Sequence, residues 1–103
     1  MSAPVRSAEQ RADALAAALA SRQERARVRQ ALKSRELTFL DVLDGAEANP
    51  LWGSLRVSWL LECVPGIGPA RAERIMTSAG IAPSRRVQGL GVRQRAALAG
   101  ELA

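Results

Sequence analysis

Several residue types that carry chemistry are missing or nearly missing from this chain of 103 residues. It has no histidine and no tyrosine, and its single cysteine is Cys63. Without histidine, the commonest general base and metal ligand is absent. A lone cysteine cannot form an internal disulfide, which is typical of a reducing compartment. These absences argue against an enzyme, against a bound cofactor or metal, and against a disulfide-rich secreted fold.

Aromatic residues make up only 3% of the chain, namely Phe39, Trp52 and Trp59. Because 48% of the residues are nevertheless hydrophobic, the core must consist mainly of Leu, Val, Ile and Ala. Alanine is the strongest helix former, and the β-branched residues are sparse and scattered. The composition therefore predicts a single small all-α domain.

Long hydrophobic runs are also lacking. No stretch approaches the roughly 18 apolar residues of a membrane-spanning helix, so no membrane partner is expected. Residues 14–20 followed by Ser21 resemble the end of a signal peptide, but the segment is mostly alanine and Glu9 and Asp13 crowd it. We therefore expect a cytoplasmic protein.

Charge is distributed unevenly along the chain, whose net value is +5. Residues 1–35 carry +5, residues 36–62 carry −4 and residues 63–103 carry +4. Lys33 is the one lysine among 15 basic residues, and an arginine guanidinium can bind two phosphate oxygens at once. Two basic segments around an acidic middle indicate a polyanionic partner.

Capping signals divide the chain into helices. Ser7 with Gln10 predicts a long first helix to about Lys33, weakly amphipathic in its middle and only partly packed. Four of its arginines, at positions 22, 25, 27 and 29, fit either a solvated face or a surface that lies along phosphates. We expect residues 1–35 to form a basic N-terminal arm and residues 36–103 a compact helical domain.

Within that domain the expected helices are short. Thr38 with Asp41 predicts a helix that turns residues 39, 40, 42 and 43 inward and stops near Gly45. Proline at the first position predicts a helix over residues 50–55, and Ser58 is expected to cap one over residues 59–64. Further helices are predicted over residues 69–79 and 92–102, whereas residues 85–91 are too glycine-rich for a regular element.

The most informative stretch is the turn at residues 64–71. Glycine leaves no side chain between backbone and ligand, and the turn leads into a helix N-terminus whose N–H groups attract an anion. Ile67 is expected to anchor the turn inward. Such a turn contacts the phosphate backbone of a nucleic acid rather than its base edges, so binding with low sequence specificity is expected. The predicted site residues are Val64, Pro65, Gly66, Ile67, Gly68, Pro69, Ala70 and Arg71. The alternative is a tight helix connection without a ligand.

The turn belongs to a longer resemblance, carried by residues 56–58, 60–62, 65–68, 71–72, 75–76, 80–81 and 84–91, and upstream by residues 9–12, 24–26 and 32–33. Over nearly the whole chain this pattern resembles the actinobacterial integration host factor family, nucleoid-associated proteins unrelated in fold to the αβ heterodimer of the same name. The resemblance implies a helix-two-turns-helix site at residues 64–71 and a lid, residues 82–94, that folds over the DNA backbone. It also implies minor-groove contact, altered DNA shape, and a role in nucleoid organisation or site-specific recombination.

The resemblance adds binding residues outside the turn, namely Arg56, Ser84, Arg85, Arg86, Gln88, Gly89, Gly91 and Gln94. It implies double-stranded DNA as partner, a site-specific recombinase as a second candidate partner, and a monomer located in the nucleoid.

Departures from the family pattern predict weaker binding. Pro69 stands where lysine is common, Glu73 and Gln88 stand where relatives tend to carry Lys and Arg, and Ser54 stands where lysine is usual. Binding would then depend on backbone N–H groups together with the arginines at 71, 85 and 86.

Two other functions fit parts of the chain. Residues 66–68, 71–76 and 80–81 are also similar to ribosomal protein S13, which uses this motif on rRNA, but that family carries a long basic C-terminal tail. A helix-hairpin-helix glycosylase or nuclease needs a lysine or aspartate downstream of the hairpin, or an acidic metal cluster. No Asp follows Asp44 and no Lys follows Lys33.

The remaining candidates have simpler interpretations. Trp52 and Trp59 could stack on bases, but their leucine-rich surroundings favour core packing. Asp41, Asp44 and Glu47 share a helical spacing and are expected to face solvent. Cys63 is expected to be a small buried hydrophobic residue.

Overall fold

The computed structural model describes residues 7–102, which contain helices and connecting turns but no β-strand. The all-α prediction is confirmed. Along the chain the helices are α1 (Ala8–Lys33), α2 (Phe39–Gly45), α3 (Pro50–Gly53), α4 (Val57–Cys63), α5 (Pro69–Ser78) and α6 (Val92–Leu102), with a single 3₁₀ turn at Val87–Gly89 before α6.

Helix α1 begins as predicted, with Ser7 and Gln10 forming a reciprocal capping box. Its 26 residues span about 39 Å at 1.5 Å per residue. Only Val28, Ala31 and Leu32 are buried, and nearly all residues from Ala8 to Ala20 are exposed, so the first half of the helix projects from the rest of the molecule. Leu15 and Leu19 remain 69% and 50% exposed. The prediction of a partly packed first helix is confirmed.

The core lies between the last turns of α1 and the short helices of the domain. Its fully buried side chains are aliphatic, as the composition predicts: Val28, Val42, Val57, Leu60, Leu61, Val87 and Leu98. Trp52 and Trp59 are half-buried and pack against this core. No helix in residues 7–102 is long and apolar enough to cross a membrane.

Helices α2 and α3 start at the predicted caps. Thr38 and Asp41 form a second capping box, and the Asn49 side chain accepts from the N–H groups of Leu51 and Trp52. Leu40, expected to point inward, is only half-buried. The prediction that α3 reaches residue 55 is wrong: α3 ends at Gly53, the Leu55 N–H donates to the Trp52 carbonyl three residues back, and the Leu55 carbonyl accepts the N–H of Val87 at 2.9 Å.

Helix α4 starts at Val57, two residues before the predicted start, and Ser58 does not cap it. The N-cap is Arg56, which makes no capping hydrogen bond through its side chain. An isolated antiparallel β-bridge holds Arg56 against Arg86, and the Val57 N–H donates to the Arg85 carbonyl at 3.0 Å. A distant backbone group therefore satisfies the first of the free N–H groups at the start of this helix.

Residues 85–91 are more regular than their glycine content predicts. They contain the β-bridge at Arg86 and the 3₁₀ turn Val87–Gly89, in which the Leu90 N–H donates to the Val87 carbonyl at 3.1 Å. Val87 is fully buried and fastens this turn to the core. Neither Gly89 nor Gly91 has a positive φ, so nothing in the backbone here requires glycine.

Candidate nucleic-acid interface

The turn at residues 64–71 joins α4 to α5 and presents its backbone outward. Gly66 adopts the left-handed φ of +87°, which only glycine adopts without strain. The N–H of Ile67 then donates to the Val64 carbonyl at 3.1 Å, which closes the turn. Ile67 is only 6% exposed and anchors the turn in the core, as predicted. Its neighbours Gly66 and Gly68 are exposed.

The first turn of α5 is open to solvent. Gly68 is the N-cap and Pro69 occupies the first helical position, where a missing N–H costs nothing. No side chain caps this helix, so the N–H groups of Ala70 and Arg71 are not used by a cap. A Cβ built on Gly68 would meet nothing within 4 Å, so the space in front of the N-cap is open. This arrangement suits an anion at the end of a helix dipole.

Arg71 extends from the first turn of α5 back over the connecting turn. Its Nη1 lies 3.4 Å from the Gly66 carbonyl oxygen, a long contact that leaves the guanidinium exposed. Ala72 and Ile75, on the same helix, are buried in the core. Of the other predicted turn residues, Pro65, Pro69 and Ala70 are exposed and Val64 is half-buried.

The segment expected to act as a lid, residues 82–94, is bonded to the start of α4, and we keep the name lid for it. Besides the β-bridge between Arg56 and Arg86, the Arg86 guanidinium donates to the Ser54 carbonyl. Arg56 and Arg86 are both exposed, and their backbones lie side by side. The structure therefore brings together two of the predicted binding arginines that are 30 positions apart in sequence.

The rest of the lid is shaped by its own side chains. Arg85 is half-buried and donates to the Gly89 carbonyl at 2.9 Å. Gln94 uses both ends of its amide, accepting from the Gly91 N–H at 3.0 Å and donating to the Gly80 carbonyl at 2.9 Å. Gln94 thus ties the lid to the end of α5. Ser84 and Gln88 are exposed.

Helix α4 separates the predicted site into two parts. Arg56 precedes its first residue and Val64 follows its last, so the lid arginines and the turn lie at opposite ends. Seven helical residues span about 10 Å. A ligand that contacts both parts must therefore extend along α4, as a nucleic-acid strand would.

From the sequence, the first-helix arginines at positions 22, 25, 27 and 29 fitted either a solvated face or a surface that lies along phosphates, and three of them contribute to this region. Arg22, Arg25 and Arg29 line a groove together with Arg56 and Arg86. They are spaced by three and four residues, which places them on one helix face. This spacing is the feature of the sequence that could have indicated a shared site. Only the packing of α1 against α4 shows that this face points at Arg56.

The remaining candidates take structural roles. The Trp52 indole N–H donates to Glu24. The guanidinium carbon of Arg29 lies over the Trp59 ring, 5.4 Å from the ring centroid. Cys63 is buried, and its burial raises the pKa of the thiol. Asp41, Asp44 and Glu47 are exposed, as expected. Within residues 7–102 no three side chains that could ligate a metal lie together.

Two helices joined by a tight Gly-Ile-Gly turn, with short helices packed around them, define the helix-two-turns-helix class. A family model described as the S13-like H2TH domain matches residues 32–102, which include this turn and the lid. The match does not include most of α1.

Similar proteins extend the comparison over α1. Integration host factors of Mycobacterium tuberculosis (strain ATCC 25618 / H37Rv) and Streptomyces coelicolor (strain ATCC BAA-471 / A3(2) / M145) are each 45% identical over 98 residues. The matches cover 95% of this chain and 93% and 92% of those proteins. The structure of sIHF bound to an 8-bp palindromic DNA matches with a TM-score of 0.80 and 43% identity, covering 84% of this chain and 97% of that one. The chain belongs to the actinobacterial integration host factor family.

Proposed function

We propose that this protein is a nucleoid-associated protein that binds double-stranded DNA by its sugar-phosphate backbone. The observation that carries the proposal is the open N-terminus of α5, approached across Gly68 and flanked by the exposed Arg71. Backbone N–H groups and a guanidinium are the donors that hold a phosphate. The DNA-bound relative supports duplex DNA as the source of that phosphate.

The proposed interface consists of the site residues named from the sequence. They form two groups: the turn at residues 64–71, and the lid residues together with Arg56. Gln94 and Arg85 act within it as positioning residues, since each is bonded to backbone carbonyls of the protein. Contacts to backbone rather than base edges give low sequence specificity. The family resemblance supports minor-groove contact and an altered DNA shape.

The wider biological role is also a proposal. We infer a non-enzymatic protein that acts as a monomer in the nucleoid, contributes to nucleoid organisation and supports site-specific recombination with a recombinase partner. This inference rests on the relatives that are named integration host factors.

A gel-shift titration at several salt concentrations tests the proposal, with duplex DNA, structured RNA and single-stranded DNA in parallel. Each neutralised phosphate contributes a log–log slope of about −0.9, so a total of roughly −3 to −6 is expected for duplex DNA. Affinity that does not depend on salt would exclude a grip on phosphates. Clear preference for structured RNA would favour the S13-like alternative.

Two variants connect that binding to the turn. Gly68→Ala places a methyl group where the phosphate must approach and should reduce duplex affinity by about tenfold or more. Arg71→Ala should give a similar loss and a shallower salt slope, because it also removes a charge. Circular dichroism confirms that each variant is folded. If folded Gly68→Ala binds duplex DNA as well as the parent, the turn is only a helix connection.

A further inference from the structure

A groove with a volume of about 560 Å³ runs between α1 and the start of α4. Three arginines of α1 form one side, two arginines from the domain form the other, and one indole lies between them. These residues are Arg22, Arg25, Arg29, Arg56, Arg86 and Trp59. We name it the arginine groove. It lies at the opposite end of α4 from the turn at residues 64–71.

The arginine groove has no counter-charge of its own, because no aspartate or glutamate lines it. Arg22, Arg25 and Arg56 are exposed, and no acidic residue pairs with them within residues 7–102. Five guanidinium groups that face one groove repel each other, and a bound polyanion relieves that repulsion. Their arrangement favours an anionic occupant.

Several of these side chains are held in place by the protein. Arg29 stacks over Trp59, and Arg86 is fixed by the β-bridge and by its bond to the Ser54 carbonyl. The row from Arg22 to Arg29 spans roughly 10 Å of helix. One strand of B-DNA presents about three phosphates over that axial length. The spacing of the donors thus fits a chain of phosphates better than a single anion.

We propose that the arginine groove binds a run of linked phosphate groups and that α1 is therefore a binding element in its own right. The source that the structure favours is the backbone of the same duplex, because Arg56 and Arg86 belong both to the groove and to the interface proposed above. In that form the inference rests on the proposed function. A free linear polyphosphate offers the same chemistry without a duplex.

The test compares two double variants that remove the same charge. Arg22→Ala with Arg25→Ala removes two of the three arginines on the α1 side of the groove, whereas Arg11→Ala with Arg35→Ala removes two arginines that lie outside the groove, the turn and the lid. Each is titrated with duplex DNA and with linear inorganic polyphosphate at several salt concentrations. Circular dichroism and thermal melting verify that both variants are folded.

For duplex DNA we expect the groove variant to lose about tenfold or more in affinity, with a slope shallower by about 1.8 because two phosphate contacts are lost. The control should lose much less. If only polyphosphate binding falls, relative to the control, the groove binds free polyphosphate. If the groove variant equals the control with both ligands, the inference is wrong.

The experiment distinguishes a wrong inference about the arginine groove from a wrong proposed function. A parent protein that does not bind duplex DNA contradicts the proposed function, and the polyphosphate titration still decides whether the groove binds phosphates. A parent that binds duplex through Gly68 and Arg71, but equally well without Arg22 and Arg25, retains the proposed function and excludes the groove.

Discussion

The indole N–H of Trp52 donates a hydrogen bond to Oε1 of Glu24 at 3.0 Å, joining residues 28 positions apart. Glu24 also forms an ion pair with Arg27 at 2.6 Å. The bond from Arg27 and then that from Trp52 hold the pKa of Glu24 below its ordinary value of 4.5. This carboxylate therefore fastens the middle of α1 to α3, beside the arginine groove.

Stability should depend on the ionisation of Glu24. Because its pKa is lower in the folded state, the carboxylate stabilises the fold above its unfolded-state pKa, and this contribution is lost as pH falls through the folded-state pKa. The free energy of unfolding of the parent should therefore fall as the pH drops below about 4.5. Glu24→Gln should lack this part of the fall, which amounts to about 1 kcal/mol at most. Urea unfolding across acidic pH measures it, and Trp52→Phe should reproduce part of the effect. Identical pH profiles for parent and Glu24→Gln would contradict this role.

Gly45 leaves the space that the Trp52 ring occupies. A Cβ at Gly45 would lie 2.5 Å from Cζ3 of Trp52, so the ring must move in Gly45→Ala. We expect a loss of about 1–3 kcal/mol in unfolding free energy and a changed tryptophan fluorescence. Gly100→Ala is the matched control, because Gly100 also lies in a helix and a Cβ there would meet nothing within 4 Å. A Gly45→Ala protein as stable as the parent would show that the Trp52 ring can move to another position without loss of stability.

The two glycines of the turn should respond differently to alanine. Gly66 has a φ of +87°, so Gly66→Ala should cost about 1–2 kcal/mol of stability. Gly68 has an ordinary φ of −92° and open space around it, so Gly68→Ala should melt close to the parent. Thermal unfolding of both variants measures the difference. Equal losses of stability would mean that the turn conformation differs from the one described.

The lid arginines should contribute more to binding than to folding. Arg85→Ala with Arg86→Ala removes two charges near the proposed DNA backbone and should weaken all duplex sequences to a similar extent. The bonds to the Gly89 and Ser54 carbonyls are lost as well, but they are exposed. Stability should fall by about 1 kcal/mol at most. A large drop in melting temperature, or a loss confined to certain sequences, would require a different role.

Much of the local structure follows from signals that act within four residues. Ser7 with Gln10 and Thr38 with Asp41 form the predicted capping boxes, and Pro69 and Gly80 limit α5 as expected. The start of α4 did not follow such a signal. Ser58 has the side chain of a cap, yet Arg56 is the N-cap, and a backbone bond to Arg85 and the β-bridge to Arg86 hold the start of the helix.

The sequence by itself therefore determined the all-α class, most helix ends, the buried anchor at Ile67 and the family resemblance, because capping, glycine conformation and helix periodicity depend on neighbours along the chain. Tertiary structure alone decided that Arg56 lies beside Arg86, that Trp52 bonds to Glu24, and that the arginines of α1 face those of the domain. All these residues are at least 27 positions apart from their partners, and their approach is set by how the helices pack around a shared aliphatic core. No local pattern records that packing, since it depends on the shapes of all the buried side chains together.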